Sequence, residues 1–273
     1  MTIKLVAFDM DGTFLNDQNG YNHQRFGEIL SKLRSKNIRV VAASGSQYQR
    51  LLNQFDEFKS EMDFVSQNGA AVYSNGEPLL IQAIPEESVK ATLDIINHQF
   101  KATDIAEHLV VGVKSAYVDQ SISKEAFDLT YRYYNHLKRV DNLPKVTPQI
   151  LQDQVTSIGI TFDAGVNFKK VITDLRQALP IGLSSQTSGY NTELISENSV
   201  NKAAGLREFQ NRYNIADDEI MTFGDNENDL SMLKLTPYGY VVDNASDKMK
   251  AQVDHITDSN NDEGVLNVLS NLI

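Results

Sequence analysis

Both ends of this chain alternate short apolar runs with helical periods, and that alternation confines them to βαβ units built around a parallel sheet. Residues 3–8 form an apolar run suited to a buried parallel strand. Over residues 22–36, Phe26, Ile29, Leu30 and Leu33 recur at i, i+3, i+4 and i+7, which predicts a helix with Asn22 as its N-cap. Residues 38–43 predict a second strand, followed by Ser44-Gly45-Ser46 and a helix carrying Leu51, Leu52 and Phe55; a third strand opens at Phe64. Asn75-Gly76 predicts a hairpin over 70–83, because this pair readily adopts the positive φ angles of a type I′ turn. The C-terminal third resumes the rhythm with a helix over about 201–213 and a strand over 220–223. Gly224-Asp225-Asn226-Glu227-Asn228-Asp229 then opens another helix, and a strand over 240–242 and a last helix from about Glu263 complete the series.

Residues 84–189 depart from this pattern. They predict strands near 115–119 and 157–162, helices near 124–138 and 168–179, and turn-rich joins containing Pro85, Pro144, Pro148 and Gly189. The expected architecture is a doubly wound α/β core made of 1–83 and 190–273, with an α+β domain of residues 84–189 inserted into it. A length of 273 residues accommodates both.

With 41% hydrophobic and 22% charged residues, the composition is that of an ordinary globular protein. No apolar run approaches the roughly 20 residues that cross a bilayer, and the first residues enter an acidic segment at Asp9 without a small-residue cleavage site, so the expectation is no membrane partner and a cytoplasmic location. The absence of cysteine excludes disulfides, thiolate metal sites and cysteine nucleophiles. A formal charge of −11 argues against nucleic acid as a partner, since phosphate backbones are bound through clustered Lys and Arg. An anionic small molecule would need a locally positive site, which a divalent cation and a lysine can supply inside an acidic protein. Oligomeric state is left open by the sequence.

Ligands of doubly wound sheets bind outside the C-terminal ends of the strands. Four segments fall at such ends or at the helices that follow: Asp9-Met10-Asp11-Gly12-Thr13, Ser44-Gly45, Lys202, and Gly224-Asp225 with Asn228 and Asp229. The pentapeptide has two readings. It is a polar turn that Gly12 allows to bend, or it holds Asp9 as a nucleophile for phosphorus and Asp11 as acid and base. Phosphate-monoester hydrolysis is among the slowest uncatalysed reactions, so dividing it through a covalent intermediate has a clear rationale. A carboxylate reaches an anionic phosphoryl group only when charge is neutralised, which Mg²⁺ does with oxygen ligands. Asp225 is then the natural further metal contact or a helix cap, and Asp229 orients a metal-bound water or stabilises the helix dipole. Asn228 donates to a phosphate oxygen or caps the helix. Ser44 and the following amides face a phosphate or form an N-cap. Lys202 is a solvated first-turn charge or a lysine held by phosphate and carboxylates. The five histidines show no metal-ligand spacing and receive no role.

On these residues the chain resembles the haloacid dehalogenase-like phosphatases over nearly its whole length, and among them the Cof-type group and its sugar-phosphatase branch. Asp9-x-Asp11-Gly12-Thr13 is similar to the first family motif, Ser44 to the second, Lys202 to the third and Gly224-Asp225-x-x-x-Asp229 to the fourth; Gln67-Asn68-Gly69-Ala70, Ser115-Ala116-Tyr117-Val118 and Asp262-Glu263-Gly264 are supporting phrases. The resemblance implies a Rossmann-like core with an inserted α/β cap that selects the substrate. It implies phosphorylation of Asp9, and proton transfer by Asp11 first to the leaving alcohol and then from water. It implies Mg²⁺ held by the Asp9 side chain, the Asp11 carbonyl and Asp225. Phosphate contacts would come from the Met10 amide, Ser44, the Gly45 amide, Lys202 and Asn228. The group often has Thr-Gly-Arg where this chain has Ser44-Gly45-Ser46; the hydroxyl is kept and a guanidinium contact is lost.

The expected activity is hydrolysis of small phosphate esters, sugar phosphates foremost. Two alternatives share the chemistry: a sugar phosphomutase, and a receiver-like phospho-aspartate signalling module, which would be shorter and without a cap.

Overall fold

In the computed structural model, residues 2–187 and 191–273 are described. Gly189 and the expected boundary between 189 and 190 lie outside the described residues. The chain packs as two compact units. The first comprises the chain up to Gly45, Leu51–Leu80 and Asn201–Ile273; the second comprises Ser46–Arg50 and Ile81–Val200. The second unit thus reaches past position 189. The physical reason is a strand at Thr192–Glu197 that pairs within the second unit's sheet.

In chain order the first unit carries β1 (Leu5–Phe8), β2 (Arg39–Ala43), β3 (Asp63–Ser66), β4 (Ala71–Ser74) and β5 (Glu77–Ile81). The second unit carries β6 (Ile105–Gly112), β7 (Ala116–Asp119), β8 (Leu137–Val140), β9 (Val155–Phe162), β10 (Leu183–Thr187) and β11 (Thr192–Glu197). The chain then returns to the first unit with β12 (Ile220–Gly224), β13 (Gly239–Val242) and β14 (His255–Thr257).

The first unit's sheet runs in the order β14-β13-β12-β1-β2-β3-β4-β5. It is parallel from β14 to β3, and β4 turns antiparallel to β3. Every residue of β1 and β12 is buried, as parallel strands covered on both faces require. Phe8 pairs with Phe223 on one side and Ala42 on the other, so β12, β1 and β2 end level with one another. The chain leaves β1 toward β2, while β12 flanks β1 on the opposite side. Strand order therefore reverses at β1, which makes its C-terminal end the switch point of the sheet.

Local features hold this end in place. The helix His23–Ser35 is capped by the Asn22 side chain, which accepts from the Arg25 amide, and it buries the expected Phe26, Ile29, Leu30 and Leu33. Phe26 joins Phe8, Phe14 and Phe55 in one buried aromatic cluster, with Phe8 stacked on Phe14 at 4.3 Å between centroids. The loop after β1 is thereby pinned to the strand that precedes it. The turn between β4 and β5 uses positive φ at both Asn75 and Gly76, as the sequence predicts. Gly69, with φ +107°, lies so close to the start of the helix Lys202–Tyr213 that a Cβ there would sit 2.3 Å from the Asn201 carbonyl oxygen. Asn201 is the N-cap of that helix, its side chain accepting from the Ala204 amide.

The second unit has a six-stranded sheet in the order β10-β11-β9-β6-β7-β8, antiparallel except for the β7–β8 pair. Helices Glu86–Gln99 and Phe168–Ala178 contribute Val89, Leu93, Ile96 and Leu175 to a core built on Val110, Ile158 and Ile160. A smaller cluster of Leu109, Val111, Ala116 and Val118 packs with Phe127, Tyr134 and Leu137. The helix expected over 124–138 ends at Tyr131. The amides of Tyr133 and Tyr134 both return to the Thr130 carbonyl, and Leu137–Val140 becomes a half-exposed edge strand beside β7. The strands β6, β10, β11 and β14 are absent from the sequence reading because their compositions are mixed or polar, and pairing with neighbours defines them. The α/β class with a second α+β unit is as expected.

Two outcomes follow. Gly69→Ala places a Cβ against the Asn201 carbonyl at an unfavourable φ and should cost about 1–3 kcal/mol in denaturant unfolding. The second concerns His108, whose Nε2 is buried without a hydrogen-bond partner among the described residues and whose pKa burial lowers to about 4, against an opposing attraction from Asp119. The unfolded chain takes up this proton below about pH 6.5, whereas the folded chain does not until about pH 4. Stability is therefore full above the unfolded pKa and falls as pH drops between these values. Thermal unfolding of His108→Leu across this range should show a flatter pH dependence than the parent, with a difference of at most about 3 kcal/mol.

Candidate active site

Asp9 follows β1, Ser44 follows β2, and Asp225 follows β12, so the level ends of three adjacent strands present them together. All lie in the first unit, as do Lys202, Asn228 and Asp229. Lys202, the first residue of its helix, is wholly buried. Its Nζ donates to Asp9 Oδ1 and, at 2.6 Å, to Asp229 Oδ1. The solvated first-turn reading of Lys202 is excluded by this geometry. Asp229 is also wholly buried, and its Oδ2 accepts from the amides of Asp225 and Asn226 at 3.0 Å each. Asp229 thus commits both oxygens to protein donors and fixes Lys202 relative to the loop that carries Asp225.

The loop after β1 folds into a turn. The amides of Phe14 and Leu15 reach the Met10 carbonyl at 3.1 and 2.9 Å, and Asp11 bridges to Leu15. Gly12 has φ +80°, and a Cβ on it would meet Asp225 Oδ2 at 2.9 Å, so only glycine lets this turn lie against Asp225. Thr13, which the sequence offered only as a turn residue, donates its hydroxyl to Asp225 Oδ1 at 2.9 Å. Met10 is buried and Asp11 is exposed at the rim.

Asn68 received no role from sequence, and the structure makes it a junction. With φ +56° it turns its amide onto the Ser44 carbonyl at 2.9 Å, and its Oδ1 accepts from Asn228 Nδ2 at 3.2 Å. A Cβ on Gly45 would lie 3.2 Å from the same Oδ1. The signal was an Asn-Gly pair one residue after a strand, which marks a left-handed turn but does not say what the side chain meets. Ser46, where the family often has arginine, accepts a hydrogen bond from Arg50 Nη1.

Carboxylate oxygens of Asp9, Asp225 and Asp229 lie within 4.8 Å of one another. With one lysine among three carboxylates, the cluster carries excess negative charge when ionised. Burial raises the Asp9 carboxyl well above the usual range, with the charges of Asp229 and Asp225 adding to it and Lys202 opposing. Burial, then the Asp229 charge, pushes Asp225 up to about 6. Burial alone would lower Lys202, but Asp229 and Asp9 outweigh it and hold the ammonium above the ordinary lysine range. An all-oxygen donor set with unneutralised charge fits a hard divalent cation such as Mg²⁺. Since Asp229 is already engaged, Asp9 and Asp225 are the side chains best disposed to hold it.

A family model described as haloacid dehalogenase-like hydrolase matches residues 6–269. The chain is 33% identical over 279 residues to the 5-amino-6-(5-phospho-D-ribitylamino)uracil phosphatase YbjI of Escherichia coli, covering 100% of this chain and 97% of that protein. Among solved structures it is similar to SMU.1108c of Streptococcus mutans, with a TM-score of 0.88, 27% identity and 99% of each chain covered. The fold is also that of the subclass IIB sugar phosphatase BT4131, with a TM-score of 0.80, 19% identity and 98% of each chain covered. Motif, strand-end geometry and full-length similarity agree, and the chain belongs to the haloacid dehalogenase-like hydrolases.

Proposed function

We propose that this protein is a Mg²⁺-dependent phosphomonoester hydrolase that works through an aspartyl-phosphate on Asp9 and acts on small phosphorylated metabolites of the sugar or sugar-alcohol phosphate class. The observation that carries the proposal is the buried bridge from Lys202 to Asp9 and Asp229 beside Asp225, at the switch point of a parallel sheet. The substrate class rests on the relatives: one is named for a phosphorylated ribityl compound, another as a sugar phosphatase. The second unit, compact with its own core, is assigned the selection of substrate.

In this reading Asp9 attacks phosphorus, forming its O–P bond as the ester oxygen departs. Asp11, exposed at the rim, gives that oxygen a proton and then takes one from the water that hydrolyses the acyl phosphate, so proton and charge balance over the cycle. Lys202 holds Asp9 in place and, with the Met10 and Gly45 amides, the Ser44 hydroxyl and Asn228, receives the phosphoryl oxygens. Thr13 and Asp229 fix the Asp225 loop. A bound Mg²⁺ would supply charge neutralisation between Asp9 and the phosphoryl group, with Asp9, the Asp11 carbonyl and Asp225 as its protein ligands.

A phosphate-release screen over hexose, pentose and polyol monophosphates should find turnover that Asp9→Asn lowers by about three orders of magnitude or more. Retained turnover in that variant removes the nucleophile assignment, and an isomeric sugar phosphate in place of free phosphate redirects the reading to a mutase. Chelation should abolish the activity and Mg²⁺ restore it, with Asp225→Asn raising the Mg²⁺ concentration for half-activation at least about tenfold. Full activity in chelator would overturn the metal assignment alone.

A further inference from the structure

The turn that carries Asp11 is held from outside by two asparagines of the C-terminal segment. Asn244 Nδ2 donates to the Gly12 carbonyl at 2.7 Å, and its Oδ1 accepts from the Asn260 amide at 2.9 Å. Asn260 Nδ2 in turn donates to the Leu15 carbonyl at 2.9 Å and to Asp17 Oδ1 at 3.3 Å. The two captured carbonyls belong to the residue after Asp11 and to the residue that bridges Asp11 in the turn. Each amide orientation is dictated by its partners. A flipped Asn244 would set its oxygen against a carbonyl and its amino group against an N–H, and a flipped Asn260 would set oxygen against the Leu15 carbonyl and Asp17.

Asn260 is buried, and its Oδ1 is shielded from solvent with no hydrogen-bond partner among the described residues. An unpaired buried acceptor is unfavourable, so this amide is oriented by what its Nδ2 holds. Asn261 adds a second hold on the same loop: its Oδ1 accepts from the Asp17 amide at 3.1 Å and its Nδ2 donates to Asp17 Oδ2 at 3.0 Å. Side chains on one segment thus grip three successive parts of the loop, at Gly12, Leu15 and Asp17. Within the turn itself, Thr13, Phe14 and Leu15 direct their amides to the Met10 carbonyl, while the Gly12 and Leu15 carbonyls accept from these asparagines.

From this we infer that Asn244 and Asn260 are positioning residues for proton transfer: they clamp the 11–15 turn so that the Asp11 carboxyl meets the leaving oxygen. The inference rests on the assignment of Asp11 as the acid. A clamp that merely stabilised the fold, or that set the metal ligands, would affect all substrates alike. One that aims the acid affects a substrate in proportion to its leaving group's need for a proton.

The test uses the full chain with Mg²⁺ and three probes of rising leaving-group basicity, p-nitrophenyl, phenyl and benzyl phosphate, followed by kcat/KM, which reports the step that forms the phospho-enzyme. Asn244→Asp keeps the oxygen that accepts from the Asn260 amide but places its other oxygen against the Gly12 carbonyl. It should lower kcat/KM for benzyl phosphate at least about tenfold and for p-nitrophenyl phosphate less than about threefold. Asn244→Ala, at an exposed position, should show the same gradient with unchanged circular dichroism. In an Asp11→Asn background the Asn244→Asp change should add less than about twofold for benzyl phosphate, since its effect passes through Asp11. Equal losses on all three probes, no loss, or full additivity with Asp11→Asn would overturn the inference while leaving the phosphatase reading intact. If Asp9→Asn retains the activity of the unsubstituted protein on these probes, the reading on which the inference rests falls first.

Discussion

A lysine ammonium with no solvent exposure, gripped by Asp9 on one side and Asp229 on the other, is the interaction on which the rest of this site depends. Ions are costly to bury, and breaking such a pair by removing one partner typically costs about 3–5 kcal/mol because the remaining charge is stranded. The arrangement therefore persists only where backbone structure delivers all three groups to one point. Asp9 comes from β1, Lys202 from a helix start, and Asp229 from the turn beyond β12. Their separation along the chain is the reason a parallel sheet with its switch point at β1 is needed.

The surrounding contacts are consequences of that requirement. Gly69 must lack a side chain for the Lys202 helix to begin where it does, and Gly12 must lack one for the turn after β1 to touch Asp225. Beneath the turn, stacking of Phe8 on Phe14 ties the residue before Asp9 to the far side of the loop. From outside, Asn244 and Asn260 hold the carbonyls of Gly12 and Leu15. The loop is thus fixed from below by apolar packing and from above by hydrogen bonds, while Asp11 stays at the exposed rim.

What the sequence made legible divides along physical lines. Asp9, Ser44 and Asp225 could be placed because each follows an apolar run whose strand identity periodicity reveals, and strand ends in such sheets are where ligands sit. Thr13, Asn68, Asn244 and Asn260 could not, because their contacts are with backbone carbonyls, side-chain amides and a carboxylate at long sequence separation, which no local pattern encodes. Asp229 was read as an orienter of metal-bound water or a stabiliser of the helix start; its Oδ2 does accept from amides at that start, while its bond to Lys202 was not legible. In the second unit, Leu137–Val140 was hidden by the helical residues before it, and Leu-Ser-Ser-Gln-Thr of β10 is a strand only through its partner β11.

The net charge of −11 sharpens the electrostatic argument. A strongly acidic protein repels an anion at long range, and this one concentrates three of its carboxylates at a single point. Lys202 offsets only part of that charge, and burial raises the Asp9 carboxyl well above the usual range and pushes Asp225 up to about 6. A cation resolves both conflicts together: it favours the ionised carboxylates and gives the phosphoryl group a positive partner. In the proposed function, metal and anion would bind with positive coupling, each lowering the electrostatic cost of the other, and ester binding would be conditional on the ion.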